Sequence, residues 1–193
     1  MLILVRHGQT ESNASGLLQG RMDRELTELG RRQAVAARAL VGTPHRVVTS
    51  PLARARETAS LLGSGVDIEV DDRWVEMDYG TLDGLPVAAV DREVWRRWRS
   101  DPDFAPAGGE SVSAVGRRVR EACEELAADA ADRDVLVVSH VSPIKAAVAW
   151  ALGCDDRVVW RMHLDVASVT RVSIGPNGAT LRGYNEVGRG GDT

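Results

Sequence analysis

The sequence predicts an α/β fold, a three-layer α/β/α sandwich with a mostly parallel (mixed) central sheet flanked by helices. Short apolar runs of strand length alternate with longer stretches of helical periodicity, the order that buries a parallel sheet under helices. The chain then closes on two runs, 168–174 and 179–184, around a turn at 175–178, which reads as a terminal pair of strands.

Each element has its own signal. Residues 2–5 are apolar throughout, as a strand buried on both faces requires. Thr27 stands as the N-cap of a helix over 28–41, with Leu29, Ala36 and Leu40 among its apolar positions. A second short strand covers 46–49. Ser50 and Pro51 then supply an N-cap and first helical residue for a helix reaching about Leu62. A third strand is expected over 67–70. Val87, Val90, Val94, Trp95 and Trp98 recur at helical spacing and predict an amphipathic helix over 87–99. The Pro- and Gly-rich stretch 101–109 breaks it. Val112, Val115, Val119, Cys123 and Leu126 mark a helix over 111–130, and 134–138 is the strongest strand in the chain. Ser142 and Pro143 open the next helix, which runs to about Leu152. The reading is one domain over 1–187, with 188–193 as a loose tail.

Composition narrows the function. A formal net charge of -4 and a pI near 5.6 argue against nucleic acid as a partner, because phosphate-backbone binders carry a basic excess. Among the 24 Lys and Arg residues only Lys145 is lysine, so a phosphate clamp here is built from arginine, a planar fork suited to bidentate contact. Cys123 and Cys154 have neither disulfide nor metal-ligand spacing and read as buried, reduced thiols. The four histidines form no HxH or HxxxH pair, so no metal and no other cofactor is expected. The apolar N-terminal run stops at Arg6, too short for a signal peptide, and no run of about twenty apolar residues suggests a membrane span. The expected location is cytoplasmic.

The chemistry-bearing residues follow strands. Arg6 and His7 come directly after the first strand. Arg54 lies in the first turn of the helix after the second, and Ser139 and His140 end the strongest strand ahead of another helix. In an open α/β sheet these carboxyl ends share one edge, where ligands bind. Arginine, histidine and the free N–H groups of helix N-termini at that edge suit a phosphate dianion.

Taken together, these segments resemble the histidine phosphatase superfamily, the phosphoglycerate-mutase-like proteins. The resemblance rests on Leu4 to Asn13 (LVRHGQTESN), Leu26 to Gly30 with Gln33 and Ala34, and Ser50 to Ala59 (SPLARARETA). It extends through Glu76 to Gly84 (EMDYGTLDG), Pro106 to Ser111 (PAGGES) and Ser139 to Ile144 (SHVSPI). It implies that His7 attacks phosphorus to form a phosphohistidine, that Arg6, Arg54 and His140 hold the phosphoryl oxygens, and that Glu76 is the general acid and base. Asn13, Gln19, Gly20 and the backbone N–H of Val141, which stands where many members carry Gly, are implied phosphate or substrate contacts. Glu110 and Trp95 are candidates for the substrate rim, each with a structural role as its alternative.

The implied activity is a metal-independent phosphatase acting on a small-molecule phosphate ester, with a homodimer as an option. Two alternatives stand beside it. One is mutase-type phosphoryl transfer, although such members look longer and carry Arg where this chain has Met77. The other is a catalytically silent phospho-ligand binder, whose mark would be loss of a core residue.

Overall fold

A computed structural model describes residues 1–188, so the expected tail lies, from residue 189 on, outside the described residues. The α/β/α sandwich is borne out. Six strands form one sheet in the order β3-β2-β4-β1-β5-β6. They are β1 (Leu2–Arg6), β2 (Arg46–Thr49), β3 (Ile68–Val70), β4 (Val135–Ser139), β5 (Val169–Gly175) and β6 (Gly178–Glu186). The pairings β3–β2, β2–β4 and β4–β1 are parallel, and β5 and β6 join antiparallel.

Alternation along β1 divides the core into two. Leu2 and Leu4 face one layer with Val135 and Val137 of β4, while Ile3 and Val5 face the other with Leu136 and Val138. The first layer is closed by α5 (Val112–Asp132) and α6 (Val141–Leu152), through Val119, Leu126, Ile144 and Ala147. The second is closed by α2 (Glu28–Val41) and α3 (Ala53–Leu62), through Ala37, Val41, Ala55 and Ala59. Both central strands are buried on two faces, which explains their unbroken apolar runs.

Several boundaries differ from expectation, each for a local reason. The helix expected from Ser50-Pro51 begins at Ala53, because Ser50 turns its hydroxyl to His140 and Asp23 accepts the Ala53 N–H at 2.7 Å. The helix expected from Ser142-Pro143 begins at Val141, with a carboxylate from far along the chain capping it. The stretch 87–99 divides into a 3-10 turn (Val87–Ala89) and α4 (Arg92–Ser100), since Asp91 caps a new start by accepting from the Glu93 N–H. Val87 is exposed, so its place in the helical pattern was fortuitous. A short helix α1 (Glu11–Ala14), carrying a Thr10/Asn13 capping box, went unread. Cys123 is buried as expected, but Cys154 is exposed.

Trp98 anchors α4. It is fully buried among Tyr79, Trp95, Phe104 and Trp160, whose ring centroids lie 5.5 to 6.4 Å away. Among the described residues no helix is long and apolar enough to cross a membrane.

Candidate active site

The parallel register of β1 and β4 sets Arg6 opposite Ser139, so the next residues, His7 and His140, leave the sheet edge side by side. Their ring centroids are 5.1 Å apart. The His7 N–H donates to the Ser139 carbonyl at 3.0 Å, continuing the ladder one residue past the strand.

The His7 ring is held at both nitrogens. Nδ1 lies 2.7 Å from the Gly8 carbonyl, an acceptor, so this nitrogen carries the proton. Nε2 receives the Nε–H of Arg54 at 3.2 Å and is therefore bare. Desolvation, then the charges of Arg54 and Arg6, push the His7 pKa well below the ordinary histidine value, despite the Gly8 hydrogen bond. The ring is neutral with a lone pair on Nε2.

Arg54 is fully buried in the first turn of α3. Besides meeting His7, it donates through Nη1 to the Met22 carbonyl at 2.8 Å and through Nη2 to the Gly20 carbonyl at 2.7 Å. Burial lowers its pKa to about 10, which still leaves it charged at neutral pH. Arg6 donates through Nη1 to the Leu164 carbonyl at 2.6 Å. Burial lowers its pKa as well, against the opposing charge of Glu76.

Glu76 follows the 3-10 turn Asp72–Trp74 and is 3% exposed. Oε1 accepts from the N–H groups of Met77 (2.7 Å) and Ser142 (3.1 Å), and Oε2 from that of Val141 (3.1 Å). The carboxylate thus sits on the positive end of α6, immediately beside His140. His140 lies 2.7 Å through Nε2 from the Ser50 hydroxyl. Desolvation first, then Arg54, His7 and Arg6, hold its pKa well below the ordinary value.

His7, Arg6, Arg54, Glu76 and His140 are therefore brought together. The secondary candidates divide. Gln19 accepts from the Thr10 hydroxyl at 2.6 Å, and its buried Nε2 has no partner among the described residues. The same holds for Arg6 Nε and His140 Nδ1. Asn13 accepts from the Thr10 N–H at 3.0 Å. Gly20 and Val141 differ from expectation. The Gly20 N–H is taken by Asp83 at 2.7 Å, so Gly20 seats Arg54 through its carbonyl, and the Val141 N–H is taken by Glu76. Glu110 is engaged twice by Arg118, at 2.9 Å each, and Trp95 packs in the aromatic cluster.

Supporting residues went unread. Thr58 accepts the Gly8 N–H and donates to the Arg54 carbonyl, linking loop to helix. Asp83 gathers the N–H groups of Gly20, Arg21 and Met22. Gly8 and Gly30 are in backbone contact, since a Cβ on Gly8 would overlap the Gly30 carbonyl and one on Gly30 the Gln9 carbonyl. The hydroxyls and carboxylate have a sequence signal, their place inside the ordered motifs. No group of three or more His, Cys, Asp or Glu able to hold a metal occurs among the described residues.

Fold and site define an α/β protein with a largely buried cluster of two histidines, two arginines and a carboxylate at the carboxyl edge of its parallel strands. The chain belongs to the histidine phosphatase superfamily (branch 1), whose family model matches residues 2–187. A bifunctional protein of Mycobacterium tuberculosis is 40% identical over 196 residues, covering 97% of this chain and 54% of the relative. This chain thus spans about half the length of the first curated relatives it matches. A glucosyl-3-phosphoglycerate phosphatase of M. tuberculosis is 41% identical over 160 residues, 75% of this chain and 72% of the relative. The solved structure of a mycobacterial glucosyl-3-phosphoglycerate phosphatase with VO3 superposes at a TM-score of 0.87 with 37% identity, covering 96% of this chain and 98% of that one.

Proposed function

We propose that residues 1–187 form one catalytic domain that hydrolyses small-molecule phosphomonoesters through a phosphohistidine on His7. One observation carries this reading: the His7 ring is fixed with Nδ1 protonated and Nε2 bare, next to a buried cation. A neutral imidazole with an oriented lone pair is a nucleophile, and arginines beside it stabilise the charge of a transferring phosphoryl group.

In the first step Nε2 attacks phosphorus, the N–P bond forms and the ester P–O bond breaks. The leaving oxygen takes a proton that the Glu76 carboxylate has first received from solvent or from a monoprotonated phosphate ester as it enters. In the second, water attacks the phosphohistidine and gives its proton to Glu76, while the N–P electron pair returns to Nε2. Arg6, Arg54 and His140 hold the phosphoryl oxygens. Phosphate oxygens would satisfy the orphaned buried nitrogens of Arg6, Gln19 and His140, which otherwise cost about 1–3 kcal/mol each. Relatives named as phosphatases of a glucosyl phosphoglycerate and of phosphoserine favour a small ester as the substrate class.

The test is phosphate release from an aryl phosphate in excess EDTA, comparing the native protein with His7→Ala. Release by the native protein alone is expected, with alkali-stable label on the protein after a radiolabelled ester is quenched at high pH. No release at any pH from acidic to neutral, or dependence on added metal, would overturn the proposal.

A further inference from the structure

Beside Glu76 lies a pocket between the starts of α5 and α6. It shares three walls with the carboxylate: Met77, Val141 and Ser142 line the pocket, and their N–H groups hold the Glu76 oxygens. Its remaining surface is largely apolar, with Val112, Val115, Val159 and Trp160 among its lining. Two charged residues also line it, Lys145 and Asp156.

Lys145 is the sole lysine of the chain, and it lies on α6 one turn beyond Val141. It is partly buried and forms no ion pair among the described residues. Asp156 pairs with Arg120 at 3.6 Å, and its carboxylate packs against Gly116, where a Cβ would crowd it. Partial burial of an ammonium lowers its pKa, and Lys145 responds in that direction while the Glu76 charge opposes it. An ammonium without a direct ion-pair partner in a largely apolar pocket is costly, and an anion entering beside it lowers the cost.

We infer that this pocket receives the leaving group of the ester, and that Lys145 selects leaving groups with an apolar body and an anionic end such as a carboxylate. The inference rests on the hydrolase reading above, in which Glu76 protonates the leaving oxygen, and on the pocket walls being the residues whose N–H groups hold Glu76. Lys145 is a specificity residue in this scheme and takes no part in proton transfer.

The probes are 4-carboxyphenyl phosphate and 4-methylphenyl phosphate, which share a ring and differ in the charge at its far end. Their dissociation constants are measured by calorimetry on His7→Ala protein, with Lys145 intact and with Lys145→Met or Lys145→Arg added. With Lys145 intact the carboxyl ester is expected to bind roughly tenfold or more tighter, as a charge-assisted contact implies. The ratio collapses toward one in Lys145→Met and survives in Lys145→Arg. A ratio near one with Lys145 intact, or the same ratio in Lys145→Met, would overturn the inference. Because a ratio is read on one preparation, partial misfolding cannot imitate the loss. Turnover of the methyl ester by protein retaining His7 tests hydrolysis separately, so absence of catalysis and absence of selection are distinct results.

Discussion

Arg54 donates its Nε–H to the bare Nε2 of His7 at 3.2 Å, inside a site where the imidazole is 3% exposed and the guanidinium fully enclosed. The contact makes the arginine a guard on the protonation state of the histidine. A proton on Nε2 would face a cation at hydrogen-bond distance, without water to screen the repulsion.

The same burial ties stability to pH. His7 and His140 both titrate well below the ordinary histidine value, through desolvation and then neighbouring positive charge. Below about pH 6.5 the unfolded chain takes up protons on these rings and the folded chain does not. Stability is full above that pH and falls as pH drops, by at most about 1.4 kcal/mol per pH unit for each ring, levelling off below the depressed native values. Urea midpoints measured from roughly pH 8 to 5 should decline over the acidic half and decline less in His140→Gln. A flat profile would show that the rings are not held neutral.

Arg54→Lys keeps the charge but not the fork. Lysine cannot reach His7 Nε2 and the carbonyls of Gly20 and Met22 in one geometry, so the loop ahead of α2 loses its anchor. Turnover should fall about a hundredfold or more, as for loss of a charge-stabilising donor. Activity within a few-fold of native would mean that a point charge suffices.

Glu76→Gln separates the acid from its setting. On the proposed mechanism the substitution removes the proton donor, and it points an amide at N–H groups that the carboxylate now satisfies. For alkyl phosphates, whose leaving oxygen needs a proton, the chemical step should slow by about 10²–10⁴. For 4-nitrophenyl phosphate, whose leaving group departs as the anion, the slowing of phosphohistidine formation should be far smaller. Equal losses on both esters would remove Glu76 from the acid role.

Gly30→Ala tests the contact between the loop after β1 and α2. The added methyl would overlap the Gln9 carbonyl, so the loop must move or the helix start must unwind. Overpacking of this kind costs about 1–3 kcal/mol. Chemical denaturation should show that loss, with weakened phosphate binding, whereas an unchanged midpoint would mean that the two backbones are not in contact.

Much of this was legible because the informative residues are local to strand ends. The apolar runs of β1 and β4 fix two neighbouring strands, and the residue after each strand must emerge at the sheet edge. Thr27 caps α2 as read, since its partner is the N–H of Gly30 three residues on. The start of α6 was not legible, because its cap is Glu76, 65 residues upstream of Val141. Ser50 looked like a helix cap because Ser-Pro is one in isolation, and only the fold shows its hydroxyl committed to His140. Gly20 and Val141 were read as phosphate or substrate contacts, yet Asp83 and Glu76 hold their N–H groups. Such long-range claims on a short-range group leave no periodicity to read.

The position of β1 in the sheet has a consequence in time. It lies between β4 and β5, and the carbonyls of Ser139, Leu164 and Ser168 receive His7 and Arg6. A ribosome therefore makes His7 well before the strands and loops that seat it, with an interval on the order of ten seconds at ordinary elongation rates. Through that interval the nascent chain carries an ordinary solvated histidine on an unpaired apolar strand, exposed to misassociation. The enclosed, neutral ring comes into being in a single later event, when β4 and β5 close around β1.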